Sequence, residues 1–135
     1  MNDPAPVETP QEWIRYAEGD LGVAEREFRF EEPAYHTICF LCQSSAEKFL
    51  KAYLLSMGWE LEKTHDLLTL LNRCARYASQ WNDLSPQVDK LNDYITAGRY
   101  PGDLSIEHIG KPEAEEALHA ARQIRARVMT AMGRE

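Results

Sequence analysis

Apolar residues recur along this chain at helical spacing. Trp13, Ala17, Leu21, Ala24 and Phe28 fall three and four positions apart, the mark of one buried stripe on a helix. Thr9-Pro10-Gln11-Glu12 stands just ahead of that stripe. Its threonine hydroxyl can cap the first turn, its proline lacks an N–H where none is needed, and its glutamate is placed for a capping box. The first helix is predicted to end at "FRFEEP". A second runs from Pro33 to Met57 and stops at Gly58, with Ile38, Leu41, Cys42, Ala46, Phe49, Tyr53 and Met57 on its main inward face. Ala34, Phe40, Leu50, Leu54 and Leu55 widen that face, and so broad an apolar surface predicts a central helix.

Thr64 is expected to cap a third helix whose stripe is Leu67, Leu70, Leu71, Cys74 and Ala78. Ser85-Pro86 opens a fourth, with Val88, Leu91 and Ile95 inside and Gly98 closing it. Pro112 starts a fifth, which buries Ala114, Ala117, Leu118, Ala121, Ile124 and Val128. Its glutamates, Glu113, Glu115 and Glu116, lie near the positive end of the helix dipole, and Arg122, Arg125 and Arg127 lie towards the negative end. Strand alternation and Asn-Gly or Asp-Gly hairpin turns are missing from the sequence. Long amphipathic helices on short connections predict an all-α fold, an up-and-down bundle of four to five helices. Residues 1–8 read as a disordered tail and 9–133 as the bundle, with no internal repeat or low-complexity tract.

Composition narrows the function classes. The chain has 135 residues, 44% of them hydrophobic, which suits a single domain. No apolar run is long enough for a membrane span, and the acidic, proline-rich start is unlike a secretion signal. A soluble cytoplasmic protein, with no membrane partner, is the expectation. Its cysteines, Cys39, Cys42 and Cys74, are three in number, which fits reduced thiols. The net charge of −7 repels a polyphosphate, so any nucleic-acid contact needs a local cationic patch.

Most candidate chemistry is weak. Cys39 and Cys42 with His36 invite a metal, but a rise of 1.5 Å per residue puts His36 and Cys42 about 9 Å apart along the axis. Buried thiols are the better reading, and no metal or cofactor is expected. No Gly-rich phosphate loop, Ser-His-Asp order or paired-carboxylate signature is present. Trp59, Trp81 and Tyr100 sit at loops and helix ends, where aromatics cap a core more often than they stack on bases.

The strongest signal is "CQSSAEKFLKAYLLSMG" in the second helix. Glu47 and Lys51 are four apart in the favourable order for an ion pair, and Lys48 lies beside them. Periodicity alone reads these residues as a solvated stripe, yet Gln43 extends the strip by a turn, and a polar strip on a central helix has to face something.

Gln43 to Leu54, "QSSAEKFLKAYL", resembles the second-helix signature of the HEPN domain family, Q-x-A-x-E-K-x-x-K-A. Thr64-His65-Asp66-Leu67 resembles its "T-H-D-L" and Arg99-Tyr100-Pro101 its "R-Y-P", in the same order and within a region from about Trp13 to Met132. The resemblance implies a helical bundle, frequently a homodimer. In prokaryotes such a bundle is often encoded beside a small nucleotidyltransferase partner and works in toxin–antitoxin pairs, nucleotide binding or RNA cleavage.

Catalytic members carry an arginine, four to six residues, and then a histidine, paired across a dimer as a metal-independent ribonuclease. Here Arg99 and His108 have eight residues between them, which departs from that motif. Arg29 and His36 have six, but across the first helix junction, where the family does not place its site, and His119 has no suitably placed arginine. Two readings of Arg99 stay open. In one it pairs with a carboxylate such as Asp66 or Glu47; in the other Lys48, Lys51, His65, Arg99 and Tyr100 meet at one end of the bundle and bind a nucleotide, RNA or an acidic strand of a partner. The first choice is a binding module, and the alternative is a ribonuclease using Arg99 and His108.

Overall fold

A computed structural model describes residues 8–95 and 108–134. Five α-helices and two short 3-10 segments make up the regular structure, and no strand occurs among the described residues. The helices are α1 (Pro10–Phe28), α2 (Tyr35–Ser56), α3 (Leu67–Ala75), α4 (Ser85–Asn92) and α5 (Lys111–Ala131). The 3-10 segments are Ser79–Leu84, ahead of α4, and Asp93–Ile95, directly after it.

Helix α2 is the axle of the bundle. It packs along α1 on one side and α5 on another, and it also touches α3 and α4. Its apolar residues are therefore spread around the cylinder: Ile38, Cys42, Ala46, Phe49, Leu50, Tyr53 and Leu54 are all buried. The outer helices bury single stripes. On α1 the stripe is Ile14, Ala17, Leu21 and Ala24, with the expected Trp13 and Phe28 only partly covered. On α5, Ala114, Ala117, Leu118, Ala121, Ile124 and Val128 go inside as anticipated. Trp81 is buried against Tyr53, with ring centroids 4.6 Å apart, so it caps the core as expected of a loop aromatic. Cys39, Cys42 and Cys74 are free, fully buried thiols, and burial pushes them up to about 11, 12 and 12 respectively.

The helix ends show where tertiary contacts replace local signals. Thr9 caps α1 as read, its Oγ1 accepting the Glu12 N–H at 3.1 Å. Helix α2 begins at Tyr35, after the expected Pro33. No side chain of its own caps it; the Glu27 carboxylate of α1 accepts the Ala34 N–H at 2.9 Å instead. Helix α3 begins at Leu67, because Asp66 rather than Thr64 holds the capping position and accepts the Leu68 N–H at 3.1 Å. Thr64 caps Asp66 in turn, its Oγ1 accepting the Asp66 N–H. Helix α3 stops at Ala75, short of Ala78, where the N–H groups of Arg76 and Tyr77 turn back to Arg73 and Cys74. Helix α4 gives way to 3-10 geometry at Asp93, ahead of the expected stop at Gly98, which lies outside the described residues together with residues 1–7 of the expected tail over 1–8.

Candidate functional site

The polar strip on α2 is buried. Gln43, Ser45, Glu47 and Lys51 are the buried polar and charged residues among those described, and all four lie on this helix. The expectation of a solvated stripe is thereby corrected: α1 and the segment leading into α3 cover it.

Each member has a partner. The Lys51 ammonium donates to Glu47 Oε2 at 2.9 Å, with its Nζ 5.4 Å from the centre of the Trp13 ring. Lys51 as a whole is 4% exposed and Glu47 7%, so this is a desolvated ion pair completed by an aromatic face. The second carboxylate oxygen, Oε1, lies 2.9 Å from Nδ1 of His65. An ionised carboxylate only accepts, so Nδ1 carries the proton. Gln43 donates to the His65 carbonyl at 3.3 Å and fixes the backbone of the same residue. Ser45 donates to the Ala17 carbonyl on α1.

The imidazole itself faces solvent, its side chain 72% exposed. Its Nε2 has no hydrogen-bond partner among the described residues. A buried lysine thus neutralises a glutamate, the glutamate sets the tautomer and orientation of a histidine, and the free nitrogen of that histidine is offered outwards.

Behind His65 the start of α3 is tied to the end of α4. Asn92 accepts the Leu67 N–H at 2.9 Å and donates to Asp66 Oδ1 at 2.8 Å, and Thr69 donates to Asp66 Oδ2. Burial alone would raise the Asp66 pKa, but the hydrogen bonds from Asn92, Thr69 and the backbone outweigh it and hold the carboxyl below its usual range. On the other flank, Glu62 accepts from Arg73 and Trp59, and the Arg73 hydrogen bond keeps its carboxyl low.

Lys51 and His65 therefore meet through Glu47. Lys48 does not join them. It lies one residue on, about 100° round the helix from Glu47, and its ammonium meets Asp20 of α1, which also accepts from Ser44. Arg99 and Tyr100 lie outside the described residues. His108 is exposed just ahead of α5. Glu47 is the hub that the sequence-based ligand set leaves out; its signal was the Glu47–Lys51 spacing together with Gln43, and nothing local marked Trp13 or Asp20 as partners. The basic residues of α5 are largely engaged inside the molecule: Arg122 pairs with Glu25, Arg125 with Glu18, and Arg127 donates to the Gln80 carbonyl. Among the described residues no cluster of histidine, cysteine and acidic side chains suits a metal ion, and no helix is long and apolar enough to cross a membrane.

Comparison with known proteins accords with this architecture. The chain resembles TT1696 from Thermus thermophilus, with 27% identity, a TM-score of 0.78, and 90% of this chain and 97% of that one covered. It also resembles ST0689, an archaeal HEPN homologue, with 26% identity, a TM-score of 0.75, and 92% and 98% covered. No curated protein matches it. The HEPN domain pattern matches residues 10–131, which takes in all five helices, the buried Glu47–Lys51 pair and His65. This chain belongs to the HEPN domain family.

Proposed function

We propose that this chain is a HEPN-type binding module that takes a nucleotide, either free or presented by a small nucleotidyltransferase partner, at the α2–α3 end of the bundle. The observation that carries the reading is the exposed His65 imidazole, held by a glutamate whose own charge a buried lysine balances. Preorganisation of this kind lowers the cost of recognition, because the ring is already oriented when a ligand arrives. In the proposal Lys51 acts through Glu47, and His65 touches the ligand. Lys48 is released from Asp20 to meet a phosphate, and Arg99 and Tyr100 complete the site from the following segment. The module works as a cytoplasmic homodimer of a toxin–antitoxin type system, with Phe40, exposed on α2, in the dimer contact.

Calorimetric titration of mono-, di- and triphosphates of adenosine and guanosine tests the reading. At least one should bind, and His65→Ala, Lys48→Ala or Arg99→Ala should each weaken it about tenfold, the effect of one charge-assisted hydrogen bond. No heat with any nucleotide would remove the nucleotide from the proposal. Cleavage of labelled RNA in EDTA that is lost in both Arg99→Ala and His108→Ala would replace it with the ribonuclease reading.

A further inference from the structure

The buried network on α2 ends in one exposed group, the His65 imidazole, and it fixes which ring nitrogen is bare. Nδ1 lies 2.9 Å from Glu47 Oε1, and Glu47 Oε2 accepts from Lys51 at 2.9 Å. Both carboxylate oxygens are thus engaged as acceptors, and the ring proton sits on Nδ1 between the two groups. Nε2 is on the opposite side of the ring. Its in-plane lone pair therefore points away from Glu47, on a side chain that is 72% exposed.

Exposure alone does not single this residue out, since His36, His108 and His119 are exposed as well. His65 is the one histidine with a carboxylate at ion-pair distance among the described residues. On His36, by contrast, Nε2 is drawn to the Thr37 hydroxyl at 3.3 Å. A buried lysine–glutamate pair is a poor source of stability, because desolvation offsets much of the attraction. As a support for an exposed ring it has a chemical use: Glu47 holds the imidazole, Lys51 holds Glu47, and Gln43 holds the His65 carbonyl. A nucleophile oriented by a second group that a third group orients in turn is the general form of an activated side chain.

We propose that His65 is a covalent phosphoryl acceptor that takes the group on Nε2. The inference goes beyond nucleotide binding and does not depend on it. In the step, the Nε2 lone pair forms a bond to phosphorus while the bond from phosphorus to the leaving group breaks, and the leaving group keeps that electron pair. With a nucleoside triphosphate as donor, the γ-phosphoryl group moves and the nucleoside diphosphate departs. With an N-phosphoryl donor, such as a phosphohistidine on a partner protein, the donor nitrogen departs. Nδ1 keeps its proton throughout, so the product is a phosphoimidazolium whose new positive charge falls beside the Glu47 carboxylate. That charge develops where a fixed opposite charge already stands, the arrangement that favours the step. Glu47 and Lys51 are positioning residues in this scheme, and His65 alone forms the bond.

The test treats the full chain with phosphoramidate, which phosphorylates imidazole nitrogens and releases ammonia. Peptide mass spectrometry reads the rate at each histidine, and phosphorus–nitrogen coupling in NMR reads which ring nitrogen carries the group. His65 should be labelled at least about tenfold faster than His36, His108 and His119, and on Nε2 only. Glu47→Gln should slow His65 at least about tenfold and let the Nδ1 isomer appear, with an unchanged helical spectrum. Should that variant unfold, the wild-type rates and isomer decide alone. The same adduct formed from ATP or GTP with magnesium assigns the donor to a nucleoside triphosphate, and labelling by phosphoramidate alone assigns it to an N-phosphoryl compound. Labelling of His65 no faster than the other three, attachment at Nδ1, or an unaltered rate in a folded Glu47→Gln chain would overturn the proposal. A chain that binds no nucleotide in calorimetry removes the reading given above and leaves this one to the phosphoramidate result.

Discussion

Along α2, Gln43, Ser45, Glu47 and Lys51 are buried and each has a hydrogen-bond or ion-pair partner within the chain. Across a small hollow between α4 and α5, Gln87 and Gln123 bury side-chain oxygens that have none among the described residues. Both regions remove polar groups from water, but only the first repays the desolvation internally. A fully partnered network rigidifies and specifies the core around it, whereas an unpartnered buried acceptor loses its hydration and gains no bond in return. The comparison separates polar groups that the bundle has buried with a partner from polar groups that it has buried without one among the described residues.

The most severe way to break this contrast is to orphan a charge in the first region. Glu47→Ala leaves the Lys51 ammonium buried without its carboxylate, and urea denaturation should show a loss of about 3–5 kcal/mol. Replacing both partners, Glu47→Leu with Lys51→Met, should recover most of it, since the cost lies in the unpaired charge. A single variant that loses under ~1 kcal/mol would mean the pair is not desolvated.

The second region should respond with the opposite sign. Gln87→Leu combined with Gln123→Leu removes two unsatisfied acceptors and should raise stability by about 1–3 kcal/mol. Gln43→Leu, which strips a donor from the His65 carbonyl, should lower it by about 1 kcal/mol. If both changes lower stability, the distinction between the regions fails.

Asp66 is a half-buried intermediate case with its partners built in. Asp66→Ala should cost about 0.5–2 kcal/mol, as expected for loss of a helix cap. Because its folded pKa lies below the ordinary 3.8, its contribution is complete above that value and is lost as pH falls through the folded one. Asp66→Asn should therefore unfold less steeply in that acid window when followed by circular dichroism. The smallest effect belongs to the exposed Lys90–Glu116 pair at the rim of the hollow, where Lys90→Ala should change stability by under ~0.5 kcal/mol.

The helices were legible because each outer one repeats an apolar stripe at a fixed period and α2 carries apolar residues all round. Their ends were less so. The Thr9-Pro10 start of α1 is a local motif and was read correctly, but the start of α2 depends on a carboxylate from the preceding helix, and Asp66 competes with Thr64 two residues apart for the cap of α3. The candidate site shows the same division. The Glu47–Lys51 spacing is local and visible, whereas the covering of the strip, the seating of Trp13 under Lys51 and the diversion of Lys48 to Asp20 depend on which helix packs on which side. Gln87 and Gln123 gave no signal in the sequence, since a glutamine on an amphipathic helix reads equally well as surface. Only the approach of α4 to α5 brings them to one hollow.

The three thiols sealed inside the bundle equip the molecule with its own clock. Cys39 and Cys42 sit on the axle and Cys74 on α3, so an alkylating reagent can reach each one only when its helix swings free of its neighbours. Equal labelling rates at all three would describe a bundle that breathes as a single body; faster labelling of Cys74 would reveal that the short third helix detaches first and carries His65's support away with it.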